Sequence, residues 1–146
     1  MKVLIDTNVA LNKLLNQAKF FEGSNNIFKL AEIGQIVGFI SASAVTDIYY
    51  ISRKNLGKEI SKDALNKMLQ VFQPATVTGE NIFKALDLDW GDFEDAVQYI
   101  VGESLAIDYI ITRNTSDFSN GTIPSVTPEQ FLEIITSTEN SESSDK

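Results

Sequence analysis

The 146-residue chain contains no cysteine and no histidine. Without cysteine there are no disulfides and no thiolate metal sites, which suits a reducing compartment. Without histidine, Ser-His-Asp and Cys-His nucleophilic arrangements are excluded, and so is a zinc site of the usual His/Cys type. Chemistry on this chain must run on carboxylates, hydroxyls, amides and amines. A hard, oxygen-preferring cation such as Mg²⁺ or Mn²⁺ is the natural helper for such groups. Positive charge is also scarce: 12 Lys and Arg against 20 Asp and Glu leave a net charge of −8. That balance argues against binding nucleic acid mainly by phosphate neutralisation, which needs clustered Lys and Arg. It does not argue against an enzyme whose bound metal supplies the positive charge. Long apolar runs are missing as well, none approaching the roughly 18 residues that span a bilayer. The opening run Val3-Leu4-Ile5 is cut by Asp6, too early for a signal peptide. A soluble cytoplasmic protein, not associated with membranes, is expected.

What is present reads as one domain, residues 1–136, followed by a polar tail, residues 137–146. The tail (S-T-E-N-S-E-S-S-D-K) has no apolar residue to offset its ordering entropy and is expected to be disordered. Val3–Ile5, Ile36–Ile40 and Tyr109–Thr112 are short apolar runs that suit buried strands. A shorter strand is expected over Pro74–Val77. Helices are expected over Val9–Asn16, Ile27–Ile33, Ala44–Leu56, Ser61–Phe72, Glu80–Leu86 and Pro128–Ile135, with a loop at Lys19–Asn25. Hydroxyls of Ser41–Ser43 and Thr127 are available as caps, and Gly57 is a stop signal. The clearest amphipathic stretch is Asp92–Ala106, where Phe93, Ala96, Val97, Ile100 and Val101 recur at helical spacing. Strands separated by helices imply an α/β fold with a parallel sheet and helices on both faces.

Four aspartates fall where such a sheet would gather them. Asp6 directly follows the first strand, Asp47 lies one turn into the helix after the second, Asp95 opens the amphipathic helix, and Asp117 follows the Tyr109–Thr112 strand. Ligands in open α/β sheets bind beyond the carboxyl ends of the strands. Asp92 and Asp95, three apart, share one side of their helix. Two carboxylates about 5 Å apart repel by roughly 3 kcal/mol at an effective dielectric near 20. A pocket holding three or four must therefore take up protons or bind a cation. Each aspartate also has a purely structural reading: Asp6 and Asp92 as helix caps, Asp47 as a dipole partner, Asp117 as a turn residue.

Taken together, these blocks resemble the PIN-domain nucleases, and especially VapC-like toxin ribonucleases of toxin–antitoxin pairs. The carriers are Leu4-Ile5-Asp6-Thr7-Asn8, Ser43-Ala44-Val45-Thr46-Asp47, Asp92-Phe93-Glu94-Asp95-Ala96, and Ile111-Thr112-Arg113-Asn114 with Asp117-Phe118. Val126-Thr127-Pro128-Glu129-Gln130-Phe131-Leu132 looks like the family's closing strand and helix. The resemblance implies a three-layer PIN-like fold, with a mostly parallel central sheet flanked by helices. It also implies a Mg²⁺ or Mn²⁺ site, with Asp6 and Asp95 as primary ligands and Asp117 and Asp47 completing it directly or through water. Thr7, Asn8, Thr112 and Asn114 would orient water or phosphate, with Asp92 in support. Two positions depart from the family pattern. Asp47 stands where such toxins more often carry glutamate, and Asn114 where some relatives have aspartate.

The activity this implies is metal-assisted hydrolysis of RNA phosphodiester bonds, leaving a 5′-phosphate and a 3′-hydroxyl. The implied partners are an antitoxin protein and a second copy of the chain in a homodimer. Arg53, Lys54 and Lys58, with Lys62 just beyond, form a local basic group that would guide RNA, or simply a solvated helix end. Tyr49, Tyr50 and Trp90 would stack on bases, or pack. Alternative readings are a catalytically silent PIN-like binding module, or a PIN nuclease that processes RNA or acts on structured DNA. An aspartyl phosphatase or receiver-like phosphotransfer protein fits less well, since Asn8 occupies the place of its second aspartate.

Overall fold

The computed structural model describes residues 1–144, and side chains through residue 141. Among the described residues, five strands form one sheet: β1 (Lys2–Ile5), β2 (Val37–Ser41), β3 (Phe72–Ala75), β4 (Tyr109–Ile111) and β5 (Ser125–Val126). Their order is β3-β2-β1-β4-β5, and every pairing is parallel. The chain moves outward from β1 to β2 and β3, then returns to the other flank of β1 to lay down β4 and β5. The direction of winding therefore reverses between β1 and β4, and such a switch point opens a crevice at the carboxyl ends of its strands.

Alternation along the central strands builds two cores. Val3 and Ile5 face one cluster, with Ile40, Ile111, Phe72 and Phe131. Leu4 and Ile110 face the other, with Val97, Ile100 and Phe118. Helices α1 (Thr7–Leu14), α2 (Phe21–Glu32), α3 (Ala42–Leu56), α4 (Lys58–Val71) and α7 (Pro128–Ser144) contribute to the first cluster. Helices α5 (Gly79–Leu88) and α6 (Phe93–Ser104) cover the second face, beside a 3₁₀ turn at Thr115–Phe118. The result is the expected three-layer α/β fold with a parallel sheet between helices. Pro74 sits in β3, an edge strand, where its missing N–H costs no ladder bond on the open side. Gly57, at φ 82°, ends α3 and starts α4, in a conformation other residues adopt at a cost.

Several boundaries differ from the sequence reading. The expected loop at Lys19–Asn25 is largely the first half of α2, which begins at Phe21. Gly23 and Ser24 look like loop residues but are buried inside this helix. A Cβ on Gly23 would lie 2.5 Å from Glu129 Oε1 and 3.1 Å from Arg113 Nη2, so close approach, not a turn, accounts for that glycine. Ser41 precedes α3 without capping it; its hydroxyl bonds Ser43 Oγ at 2.6 Å instead. Phe93 is 45% exposed rather than part of the buried stripe of α6. The last helix runs through Ser144 rather than ending at Ile135, so residues 137–144 are helical, not the disordered tail expected. Propagating a helix that is already nucleated costs far less than starting one. Here Thr136 and Thr138 bond back to Leu132 O and Ile134 O, and Gln35 reaches Glu139. Residues 145 and 146 lie outside the described residues. No helix among the described residues is long and apolar enough to cross a membrane.

Candidate functional site

Asp6 ends β1 and caps α1, and its buried carboxylate sits at the β1–β4 switch point. Its backbone N–H donates to Ile111 O at 2.9 Å, carrying the β1–β4 ladder one step past the strand. Four donors converge on its carboxylate. Oδ1 accepts from Thr7 N at 2.7 Å and from Gln98 Nε2 at 3.0 Å. Oδ2 accepts from Thr112 Oγ1 at 2.8 Å and from Asn8 Nδ2 at 3.1 Å. A carboxylate offers about four lone-pair sites, so this one is filled as it stands. Asn8 in turn accepts from Arg113 N at 3.2 Å, and Thr112 Oγ1 accepts from Asn114 N at 3.0 Å. Thr7, Asn8, Thr112 and the backbone of Asn114 thus belong to one network around the end of β1, with Thr7 bonding onward to Glu94.

Helix α6 brings the next carboxylates. It runs down into β4, so its N-terminus lies at the carboxyl edge of the sheet, where the helix dipole favours negative charge. Asp92 caps it by accepting from Asp95 N at 3.0 Å. Glu94 accepts from Thr7 Oγ1 at 3.1 Å. Asp95 is partly buried, and burial first, then the charges of Asp6, Asp92, Asp117 and Glu94, push its carboxyl up to about 7. Glu94 is also raised, again chiefly by burial; Asp47, Asp6 and Asp92 add to this, and the Thr7 hydroxyl opposes it. The charges of Asp6, Asp92, Asp117 and Glu94 thus bear on Asp95, and those of Asp47, Asp6 and Asp92 on Glu94. Asp47 and Asp117 are exposed at the rim of the site.

The sequence blocks that carry the family resemblance include Glu94 and Arg113 but assign neither a role, and Gln98 lies outside them. For Gln98 the signal was available: a polar residue one turn after Asp95, amid the apolar positions of α6. Arg113 is mainly structural. It bonds Asn12 Oδ1, Phe20 O and Glu129 Oε2, and its guanidinium lies over the Phe20 ring.

The basic group does not join the cluster. Arg53 and Lys54 occupy the last turn of α3, about 9–10 Å of helix beyond Asp47 and away from the carboxyl edge, and Lys58 follows the Gly57 turn. Trp90 packs on Tyr99 and Phe118, with ring centroids 4.9 and 6.3 Å away. Tyr49 packs against the first core, while Tyr50 is exposed. A groove of about 640 Å³, whose lining includes Phe28, Ile60 and Met68, lies apart from the carboxylates on the helical face of α2 and α4.

The donor set suits a hard divalent cation in kind, since it offers only oxygens and its crowded carboxylates would be relieved by positive charge. Among the described residues, however, no three carboxylates stand together as a ready ligand set. A cation on Asp6 must displace one of its four donors or bind through water. Asn8, partly exposed and holding the longest of the four bonds, is the donor best placed to yield.

Comparison with known proteins agrees with this architecture. One chain in the crystal structure of VapBC2 from Rickettsia felis, bound to a DNA fragment from their promoter, superposes with a TM-score of 0.67. The match covers 87% of this chain and 98% of that one at 16% identity, which is a likeness of fold. No curated protein matches. The sequence profile of the PIN domain matches residues 2–116, which carry β1, α3, α6 and β4 with Asp6, Asp47 and Asp95, and ends one residue before Asp117. The chain therefore belongs to the PIN-domain family.

Proposed function

We propose that this PIN protein is a Mg²⁺- or Mn²⁺-dependent endoribonuclease, the toxin of a toxin–antitoxin pair, acting in the cytoplasm. The observation that carries the reading is the carboxylate cluster at the β1–β4 switch point, where burial and then the neighbouring carboxylates push Asp95 up to about 7. Perturbed acids gathered in a crevice are the signature of a working site. Family membership supports nuclease chemistry. The VapBC2 fold match supports a partner antitoxin.

Asp6 and Asp95 would hold the cation, with Asp117, Asp47 or Glu94 completing its surroundings. Such an ion supplies an activated water and offsets charge on a phosphodiester. The chain's own residues do the positioning. Thr7, Asn8, Gln98 and Thr112 fix the orientation of Asp6. Glu94, raised and tied to Thr7, is a group that can take the proton of an attacking water. RNA is the substrate class and a homodimer the expected assembly. The filled hydrogen-bond shell of Asp6 favours a second reading, a PIN module that binds without cutting.

The test is cleavage of structured and single-stranded RNAs with Mn²⁺, Mg²⁺ or chelator, comparing wild type with Asp6→Ala and Asp95→Asn. Metal-dependent cleavage lost in both variants establishes the nuclease. RNA retained by all three without cleavage under any condition identifies the silent module.

A further inference from the structure

Gln98 is fully buried in the middle of α6. A long polar side chain costs free energy there unless both ends of its amide are paired. One end is paired: Nε2 donates to Asp6 Oδ1 at 3.0 Å. An ionised carboxylate only accepts, so the amide cannot turn over without losing this bond. The other end is not paired: Oε1 finds no hydrogen-bond partner among the described residues. A buried acceptor left so costs about 1–3 kcal/mol. Its neighbours Ala96, Val97, Tyr99, Ile100 and Val101 are all buried, and an apolar residue at 98 would continue that run. Packing alone does not account for an amide at this place.

We propose that Gln98 is a positioning residue of the acidic site. Its amide nitrogen locks Asp6 to α6, and its carbonyl oxygen is left to accept a water of the site. The inference rests on the reading of the cluster as a divalent-cation site. The geometry is specific. Gln98 follows Asp95 by one turn, so a single helix carries one cluster carboxylate and the amide that grips another. The other three donors to Asp6 come from α1 and from the end of β4. They orient the carboxylate, and Thr7 also reaches α6 through its hydroxyl to Glu94, but Gln98 is the residue of α6 that bonds the Asp6 carboxylate itself. If α6 slides against β1, Asp95 moves against Asp6, and the Gln98–Asp6 bond resists that slide. The two amide atoms share one carbon, so the free oxygen stays beside the same carboxylate.

Hydrogen-bond partners of metal-binding carboxylates are typically worth 10- to 100-fold in metal affinity. The test is calorimetric Mn²⁺ binding to wild type, Gln98→Met and Asp95→Asn, with melting curves confirming each fold. Methionine keeps the length and removes both polar ends. The expected result is at least a tenfold loss of Mn²⁺ affinity in folded Q98M. A Q98M protein that binds Mn²⁺ as wild type does overturns the role of Gln98 and leaves the cation site standing. Wild type that binds no Mn²⁺ overturns the site reading, and this inference with it. If Q98M does not fold, the side-chain amide signals of Gln98 are followed by NMR in wild type during Mg²⁺ titration. They are expected to shift together with the Asp6 and Asp95 amides. Gln98 signals that stay still while those amides move reject the proposal.

Discussion

Thr112 donates its hydroxyl to Asp6 at 2.8 Å and accepts the Asn114 backbone N–H at 3.0 Å, so one buried side chain fixes the charged end of β1 and the loop leaving β4. Valine has nearly the same shape and neither capacity. Hydrogen bonds to charged groups contribute about 1.5–3 kcal/mol, and this one is shielded from water. Thr112→Val should therefore lower stability by about 2 kcal/mol in urea unfolding, with Thr112→Ser recovering most of the loss. Equal stability of the valine and serine variants would mean that the hydroxyl contributes little.

Asp95 gives a pH signature that can be read without substrate. Its folded carboxyl lies at about 7 against an ordinary 3.8, so between those values the native state holds a proton that the unfolded chain has lost. Stability in chelator should therefore fall as pH rises through that window. Asp95→Asn should flatten much of the slope; Glu94, raised chiefly by burial as well, keeps the remainder. Millimolar Mn²⁺ should oppose the fall, because an ion bound only by the folded state adds stability. The check is melting temperature against pH for both proteins, with chelator and with Mn²⁺. Parallel profiles in chelator would count against a carboxyl raised by burial and by its acidic neighbours at position 95.

Asp6, Asp95 and Thr112 were readable because each stands at or near an element end, where a short apolar run or a helical stripe stops. Their side chains then have one sheet edge to share. Gln98 and Glu94 were not read because their roles depend on which way α6 faces, and that is set by packing against β1 and β4. Phe93 shows the same limit: it fits the apolar stripe by spacing, yet the helix leaves it 45% exposed. The parallel fold was legible from strand–helix alternation. The start of α2 was not, because Gly23 signals a turn locally and serves a tertiary contact. Nor was the length of α7, whose polar last turns follow an apolar segment that packs on the core. Arg53 and Lys54 fit either an RNA guide or a solvated helix end by sequence, and six or seven residues of helix past Asp47 set them at the far end of α3.

Arg113 should prove a stability residue. Its side chain is 13% exposed and joins α1, α2 and α7 through Asn12, Phe20 O and Glu129. Glu129 is 55% exposed, so the ion pair by itself contributes under about 1 kcal/mol. The larger loss in Arg113→Met comes from the part-buried acceptors Asn12 Oδ1 and Phe20 O left without a donor, for a total of about 3 kcal/mol. A pH signature accompanies it. Burial raises the Glu129 carboxyl, but the Arg113 hydrogen bond and charge, with a backbone hydrogen bond, outweigh this and leave it below its ordinary 4.5. That contribution is present above 4.5 and lost as pH falls through the folded value. R113M should lack this part of the acid slope in chemical unfolding. An unchanged slope would assign the stability to packing alone.

Ser52 and Ser61 offer a change in the opposite direction. They lie in α3 and α4 on either side of the Gly57 turn, both fully buried, and neither hydroxyl has a partner among the described residues. Serine is the poorer helix former by about 0.5 kcal/mol. An unsatisfied buried hydroxyl adds a desolvation cost of about 1–3 kcal/mol. Against this, alanine leaves a void the size of a single oxygen, which forfeits some dispersion contacts. The balance favours alanine. Ser52→Ala and Ser61→Ala should each raise stability by about 1 kcal/mol in urea unfolding, with the slope of free energy on urea unchanged. Both helices lie on the face of the sheet opposite α6, so the response of Asp95 to pH should stay as in wild type. A loss of stability in either variant would show that lost packing, or a buried water held by the hydroxyl, outweighs the cost of burying the hydroxyl.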